Sequence, residues 1–358
     1  MEYTPKPATI FGFTEETESG DPGRTFKFTS VNIEPLGYAA LENAKPHSKV
    51  SIPIRWKDAT IVSASVNEID RNLTYTVTGH LNSDFTARAI GLIKGGWLPS
   101  ALAASDLNTI VMVDRNTVTQ IKGRFEQGKP KYPERDFIDL FADKPIRIHP
   151  MLFGMEGNTK GIPTPEQVRA QIKEAVSTLK AALPSAEIMA DAGHITGALG
   201  LIEDSRHGLE QKQLFLMRLA PILAAPVSGK NMHRLWDKVL AVADQYGVPR
   251  KSLVVLAALS AVVVPNGCSP TKRLLKCKQK YSEGDAYNAL CDIRALEILI
   301  SGFAMYPAQP MQLCTADRDL ALFWVGIGAS NFRYSGNTIT YELSLREELL
   351  PEAFLKKW

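Results

Sequence analysis

The chain has 358 residues, enough for one large or two modest domains. A hydrophobic fraction of 45% and a charged fraction of 22% are ordinary for a soluble globular protein. A formal net charge of +3 excludes binding to nucleic acid or membrane through bulk charge, so any grip on phosphate must be local.

Residues 1–25 are rich in Pro, Gly, Thr and Glu and read as a flexible N-terminus. The opening "MEYTPKPATI" has an early acid, two prolines and no apolar core, so no signal peptide is expected there. "KVSIPI", "TIVSASVNEI" and "NLTYTVTGHL" are predicted strands, the last two alternating apolar and polar residues. They place a small antiparallel β-rich unit over residues 26–100, in which no chemistry is visible.

From residue 101 strands and helices alternate, which predicts an α/β fold. "NTIVMVDRNTV" runs four apolar residues, Ile110 to Val113, into Asp114. A carboxylate at the tip of a buried strand either faces a ligand cleft or caps the next helix. "PMLFGMEGNTKG" sets Glu156 before a Gly-rich turn. It is not a phosphate-binding P-loop, because the Gly-Lys-Ser/Thr ending is missing.

"TPEQVRAQIKEAVSTLKAALP" is the clearest helix. Thr164 caps it, Pro165 suits the first turn and Gln167 completes a capping box. Val168, Ile172, Ala175, Val176, Leu179 and Leu183 form one apolar stripe. Residues 186–264 read as a largely helical block ending in "LVVLAALSAVVV", too short to cross a bilayer and read as a buried core helix.

"DAYNALCDIRALEILISGFAMYP" predicts a helix with Asp285, Asn288 and Asp292 on one face. A half-buried carboxylate such as Asp292 is costly unless paired or bound to metal, and Arg294 or another cation is the plain ion-pair partner. "PMQLCTADRDLALFW" is a strand, an acidic turn with Asp317 and Asp319, and the start of a helix. Those acids fit either a helix N-terminus or a cation site. "NTITYELSL" is the last predicted strand.

Cys268, Cys277, Cys291 and Cys314 match no paired Cys-x-x-Cys zinc spacing and read as free thiols of a cytoplasmic protein. The six histidines, His47, His80, His149, His194, His207 and His233, show no His-x-x-x-His spacing. No Gly-x-Ser-x-Gly elbow and no nicotinamide or flavin fingerprint occurs. As a set, Asp114, Glu156, Asp292, Asp317 and Asp319 have the donor chemistry of a site for Mg²⁺ or Mn²⁺ that activates water against a phosphodiester.

In order and setting, "IVMVDRNTV", "NALCDIRALEIL" and "LCTADRDLALFW" resemble the PIN-like nuclease superfamily, distant kin of flap endonucleases. The last segment is similar to the family's Thr-x-Asp-x-Asp strand-end signature. The resemblance covers about residues 105–340. It implies a PIN-like domain with a central parallel sheet over 101–358, and a helical insertion around 186–264. It also implies metal ligation by Asp114, Glu156, Asp292 and Asp317, with Asp319 assisting, and hydrolysis of RNA, or sometimes DNA. Asp204 or Glu210 would replace Glu156 if that assignment fails. Asn116 would orient the phosphate or cap the following helix.

Two basic runs sit beside the acids. "KGRFEQGKPKYPER" follows Asp114, and "KRLLKCKQK" brings Lys272, Arg273 and Lys276 close to the acidic helix. Local patches of this kind grip phosphate backbones, although a solvated helix face has the same composition. The expected partner is nucleic acid, RNA ahead of DNA, with no membrane. A homo-oligomer or a regulatory protein partner is compatible with the extra segments.

Two rival functions fit part of the pattern. In a haloacid-dehalogenase-like phosphatase Asp114 would be the nucleophile and Asp317 and Asp319 would bind Mg²⁺. The usual second acid is here Asn116, which cannot donate a proton to a leaving group. The other rival is an idle PIN-like scaffold that binds RNA or a protein.

Overall fold

A computed structural model describes residues 10–16, 22–45, 47–66, 69–158 and 160–358. Strands within residues 10–82 form an antiparallel sheet. It contains β1 (Ile10–Glu16), β2 (Pro22–Thr29), β3 (Asn32–Ile33), β4 (Ser51–Ala64) and β5 (Thr74–Asn82), with α1 (Tyr38–Asn43) between β3 and β4. "KVSIPI" and "TIVSA", expected as two strands, are one long strand. Alternate residues of β4 are buried through Ile52, Ile54 and Trp56, and a bulge at Asp58, φ +51, keeps Ala59 and Ile61 inward. Asn67 and Glu68 of the expected strand lie outside the described residues. Within the N-terminus expected to be loose, Ile10–Glu16 and Pro22–Thr29 instead form a hairpin. Residues 1–9 and 17–21 lie outside the described residues.

Past this sheet come β6 (Ile90–Ile93), β7 (Gly96–Pro99), α2 (Ser100–Ala103), β8 (Ile110–Val113), α3 (Arg115–Arg124), β9 (Phe125–Glu126), β10 (Lys129–Pro130), β11 (Arg147–His149), α4 (Met151–Glu156), α5 (Pro165–Ala182) and β12 (Glu187–Ile188). Helices then dominate in α6 (Ala192–Leu223), α7 (Gly229–Gln245), α8 (Leu253–Val263), α9 (Pro270–Leu274) and α10 (Glu283–Met305). The chain ends with β13 (Met311–Thr315), α11 (Arg318–Ile327), a hairpin of β14 (Ala329–Ser335) and β15 (Thr338–Leu343), and α12 (Glu352–Leu355).

The fold is mixed α/β. The central sheet has strand order β12-β11-β8-β13-β6-β7. β12, β11, β8 and β13 are parallel, and β6 and β7 close one edge as an antiparallel hairpin. The hairpin lies within the span assigned to the β-rich unit, yet it pairs with β13 rather than with the N-terminal sheet. One hydrophobic core runs from Phe28 and Trp56 of the N-terminal sheet through Trp97 to the central sheet.

Sequence signals explain the elements that matter most. Thr164 and Gln167 form the expected reciprocal cap of α5, and Val168, Ile172, Ala175 and Leu179 are buried. Every residue of α8 is buried, as its uniformly apolar sequence requires. Among the described residues no helix is long and apolar enough to cross a membrane.

Strands β11 and β12 lie on one side of β8, whereas β13, reached through the helical block, lies on the other. The strand order therefore reverses between β8 and β13. Such a reversal opens a crevice at the carboxyl ends of the strands. Asp114 follows β8 directly, and Thr315 ends β13.

Candidate active site

Asp114, Glu156 and Asp292 line one cavity of about 20 Å³ beside that crevice, with Leu152, Met155, Cys291, Arg294 and Leu320 among its walls. That volume accommodates about one water or ion. Each acid arrives from a different element.

Asp114 caps α3, its Oδ1 accepting from the Thr117 backbone N–H at 2.6 Å. Its Oδ2 accepts from Thr315 Oγ1 at 2.7 Å. The two alternatives posed by its sequence position are thus realised together: it caps a helix and it faces a cleft. Burial pushes its carboxyl above the usual carboxylate range. Hydrogen bonds from Thr117 and Thr315 oppose the rise, and the charge of Asp317 adds to it.

Glu156 ends α4. Gly157 follows with φ +71 and ψ 175, a conformation essentially reserved for glycine, and turns the chain away. Burial raises the Glu156 carboxyl first, and the Asp114 charge raises it further. Arg115, through its charge and its backbone N–H, and Lys276 oppose the rise.

Asp292 sits in the middle of α10, between half-buried Cys291 and buried Ile293. Burial drives its carboxyl up to about 7 against the pull of Lys276, and Asp317 and Glu156 push in the same direction as burial. Lys276 Nζ donates to Asp292 Oδ2 at 3.1 Å. Arg294, the partner the sequence offered, is not that cation. Its Nη2 donates to Leu201 O and Ser205 Oγ and ties α10 to α6. Asp285, grouped with Asp292 on one face, completes the α10 cap with Ser282 and pairs with Lys278 at 2.8 Å.

Asp317 caps α11, its Oδ1 accepting from the backbone N–H groups of Asp319 and Leu320. Its charge reaches both Asp114 and Asp292. Asp319 belongs elsewhere. It forms an ion pair with Arg273 at 2.7 Å, which removes it from the set as it stands. Asp204 and Glu210, the substitutes for Glu156, are exposed on α6 and do not line the cavity.

The basic residues divide. Asn116 is exposed in the first turn of α3. Lys272 does not meet the expectation of a phosphate contact: only 8% exposed, it donates to Ala225 O at 3.1 Å and to Asn266 Oδ1 as an internal strut. Lys276 reaches the cavity as the counter-charge to Asp292, whereas Arg273 pairs with Asp319. In the first basic run Arg124 is likewise internal, paired with Asp139 at 2.5 Å.

Among the described residues no group of three or more His, Cys, Asp or Glu could hold a metal ion as it stands. The donor set still fits a hard divalent cation, being all carboxylate, in a cavity of the right size, with an ammonium already serving as its counter-charge.

Sequence reading missed one pairing. His149, at the end of β11, and His194, on α6, meet edge to face with ring centroids 4.9 Å apart, and Asp191 lies 2.8 Å from His194 Nδ1. The residues are 45 positions apart and no local motif links them.

No family model matches this chain, and no match was found among curated proteins or solved structures.

Proposed function

We propose that this protein is a metal-dependent nuclease with a PIN-like fold that hydrolyses phosphodiester bonds, RNA ahead of DNA. One observation carries the reading. Asp114, Glu156 and Asp292 come from a strand end, a short helix and a long helix far apart in sequence, and they line one small cavity. Asp317 adds its charge from the N-cap of α11. Carboxylates buried together repel, and a fold retains that cost where a cation is to be held.

Asp114, Glu156, Asp292 and Asp317 would hold Mg²⁺ or Mn²⁺. When bound, such an ion supplies an activated water and neutralises charge on the phosphate. The chain does the positioning. Thr117 and Thr315 fix both oxygens of Asp114, the N-terminus of α11 fixes Asp317, and Gly157 sets the end of α4 at Glu156.

The phosphatase reading is less favoured. Its usual second acid is here Asn116, which cannot donate a proton to a leaving group. That reading would also leave Glu156 and Asp292 without a role.

The test is cleavage of labelled single-stranded RNA and DNA with Mn²⁺ or Mg²⁺ by wild type, Asp114→Asn and Asp317→Asn, beside an aryl phosphate. Cleavage of the polymer that both substitutions abolish is expected. Turnover of the aryl phosphate without polymer cleavage would transfer the assignment to the phosphatase. No cleavage and no metal-induced thermal stabilisation would leave an idle binding scaffold.

A further inference from the structure

Arg115 follows Asp114 and is held on two sides. Its guanidinium carbon lies 4.4 Å from the centre of the Phe153 ring. Its Nη2 donates to Gln171 Oε1 at 2.8 Å. Gln171 is itself fixed, being 4% exposed and donating from Nε2 to Asn158 Oδ1 at 3.2 Å. A guanidinium stacked on one face and bonded on one arm has already lost most of its freedom, so it can bind a further group at low entropic cost.

Such restraint usually serves an ion pair, but none of the ion pairs among the described residues includes Arg115. Its Nε is buried without a hydrogen-bond partner. Glu156 senses the Arg115 charge, yet among the described residues no ion pair joins the two side chains. The cation is therefore pre-positioned at the acid cleft and its own acids leave it unmatched. Missing donor satisfaction of this kind points to an anionic ligand.

We propose that Arg115 is a phosphate clamp, its planar fork gripping non-bridging oxygens of a phosphodiester backbone laid across the cleft beside Asp114 and Glu156. The inference rests on the nuclease reading for the identity of its ligand. Phosphate suits the fork because two parallel N–H groups match two oxygens. Gln171 and Phe153 act as positioning residues behind it.

The experiment measures fluorescence anisotropy of a short labelled single-stranded oligouridylate in Ca²⁺ over a range of salt. It uses wild type, Arg115→Gln, Arg115→Lys and Gln171→Leu, with the melting temperature of each variant recorded. Arg115→Gln is expected to weaken binding about ten- to a hundredfold. It should also lower the salt slope by about 0.7, the value for one single-strand phosphate contact. Arg115→Lys should keep the slope and recover part of the affinity, because a point charge replaces the fork. Gln171→Leu should raise Kd severalfold with the slope unchanged.

Wild-type affinity and slope in Arg115→Gln would overturn the clamp. If that variant does not fold, wild-type affinity in both Arg115→Lys and Gln171→Leu overturns it instead. A wild type that does not bind the oligonucleotide also overturns it. Cleavage by wild type with Mn²⁺ is scored separately. A clamp effect without cleavage sinks hydrolysis but keeps the clamp, and cleavage with unaltered binding in the variants does the reverse.

Discussion

Lys276 Nζ stands 3.1 Å from Asp292 Oδ2, so the chain places its own cation against the acid cavity. The lysine sits in a left-handed backbone conformation, φ +53, just past α9, its N–H donating to Arg273 O at 2.9 Å. That turn lets α9 and its exit supply two counter-charges, Arg273 to Asp319 and Lys276 to Asp292.

A divalent cation and Lys276 therefore compete for Asp292. Lys276→Met is expected to lower the metal-free melting temperature, because Asp292 loses its partner in a largely buried setting. It should tighten Mn²⁺ binding about tenfold, the effect of removing a nearby like charge. Isothermal titration at pH 8 checks this; unchanged or weaker Mn²⁺ affinity would show that the lysine does not guard the site.

The acid cavity sets a pH dependence. Asp292 is raised to about 7 in the folded state, and Asp114 and Glu156 are raised in the same direction. Between the unfolded and folded pKa values the folded state binds more protons than the unfolded one. The resulting stability is fully present below about pH 4 and is lost as pH rises through about 7. In EDTA the melting temperature should thus fall between pH 5 and pH 8, an effect on the order of a few kcal/mol. Mg²⁺ should restore it at pH 8. Asp292→Asn should flatten the profile, and an unchanged slope in that variant would assign the dependence to other groups.

Thr315 links two acids. Its hydroxyl donates to Asp114 Oδ2 at 2.7 Å and accepts from the Asp317 N–H at 3.0 Å. Thr315→Val keeps the volume and removes both bonds, at a stability cost of about 1–3 kcal/mol. Cleavage should fall at least tenfold in kcat with little change in KM, since the loss lies in positioning. Steady-state kinetics beside thermal melts separates the two effects. A purely thermal effect would remove Thr315 from the site.

Neighbouring cations on α9 should respond differently. Lys272→Ala leaves Ala225 O and Asn266 Oδ1 without their donor and should cost about 1–3 kcal/mol. It should leave the salt dependence of oligonucleotide binding unchanged. Arg273→Ala breaks a pair whose arginine is half exposed and should cost under about 1 kcal/mol. Urea titration with the anisotropy assay resolves the pair of outcomes. A reduced salt slope in Lys272→Ala would contradict its assignment as a strut.

Much of the local architecture was legible in the residues. The α5 cap follows from Thr164 and Gln167, the burial of α8 from its apolar run, and the strand before Asp114 from Ile110–Val113. These signals are local: a capping box spans four residues and helical periodicity needs only a few turns. The extent of β4 was not legible, because the bulge at Asp58 joins two alternating runs that read as separate strands.

The acids themselves were visible as residues out of place, since a carboxylate in an apolar stretch carries a cost whatever the fold. Their grouping into one cavity required tertiary structure. Parallel pairing of β8 with β13 sets Val113 opposite Cys314 and so brings Asp114 to Thr315 and Asp317. Nothing near residue 114 encodes that register. Counter-charges were decided in the same way. Lys272, Arg273 and Lys276 are equivalent as a basic run, but the short α9 turns Lys272 inward and the other two onto acids. By itself the sequence determined which groups carry charge and which segments must be buried, because both are properties of the residues and their near neighbours. Only the tertiary structure decided which charges meet, because that depends on strand order and on contacts across hundreds of residues.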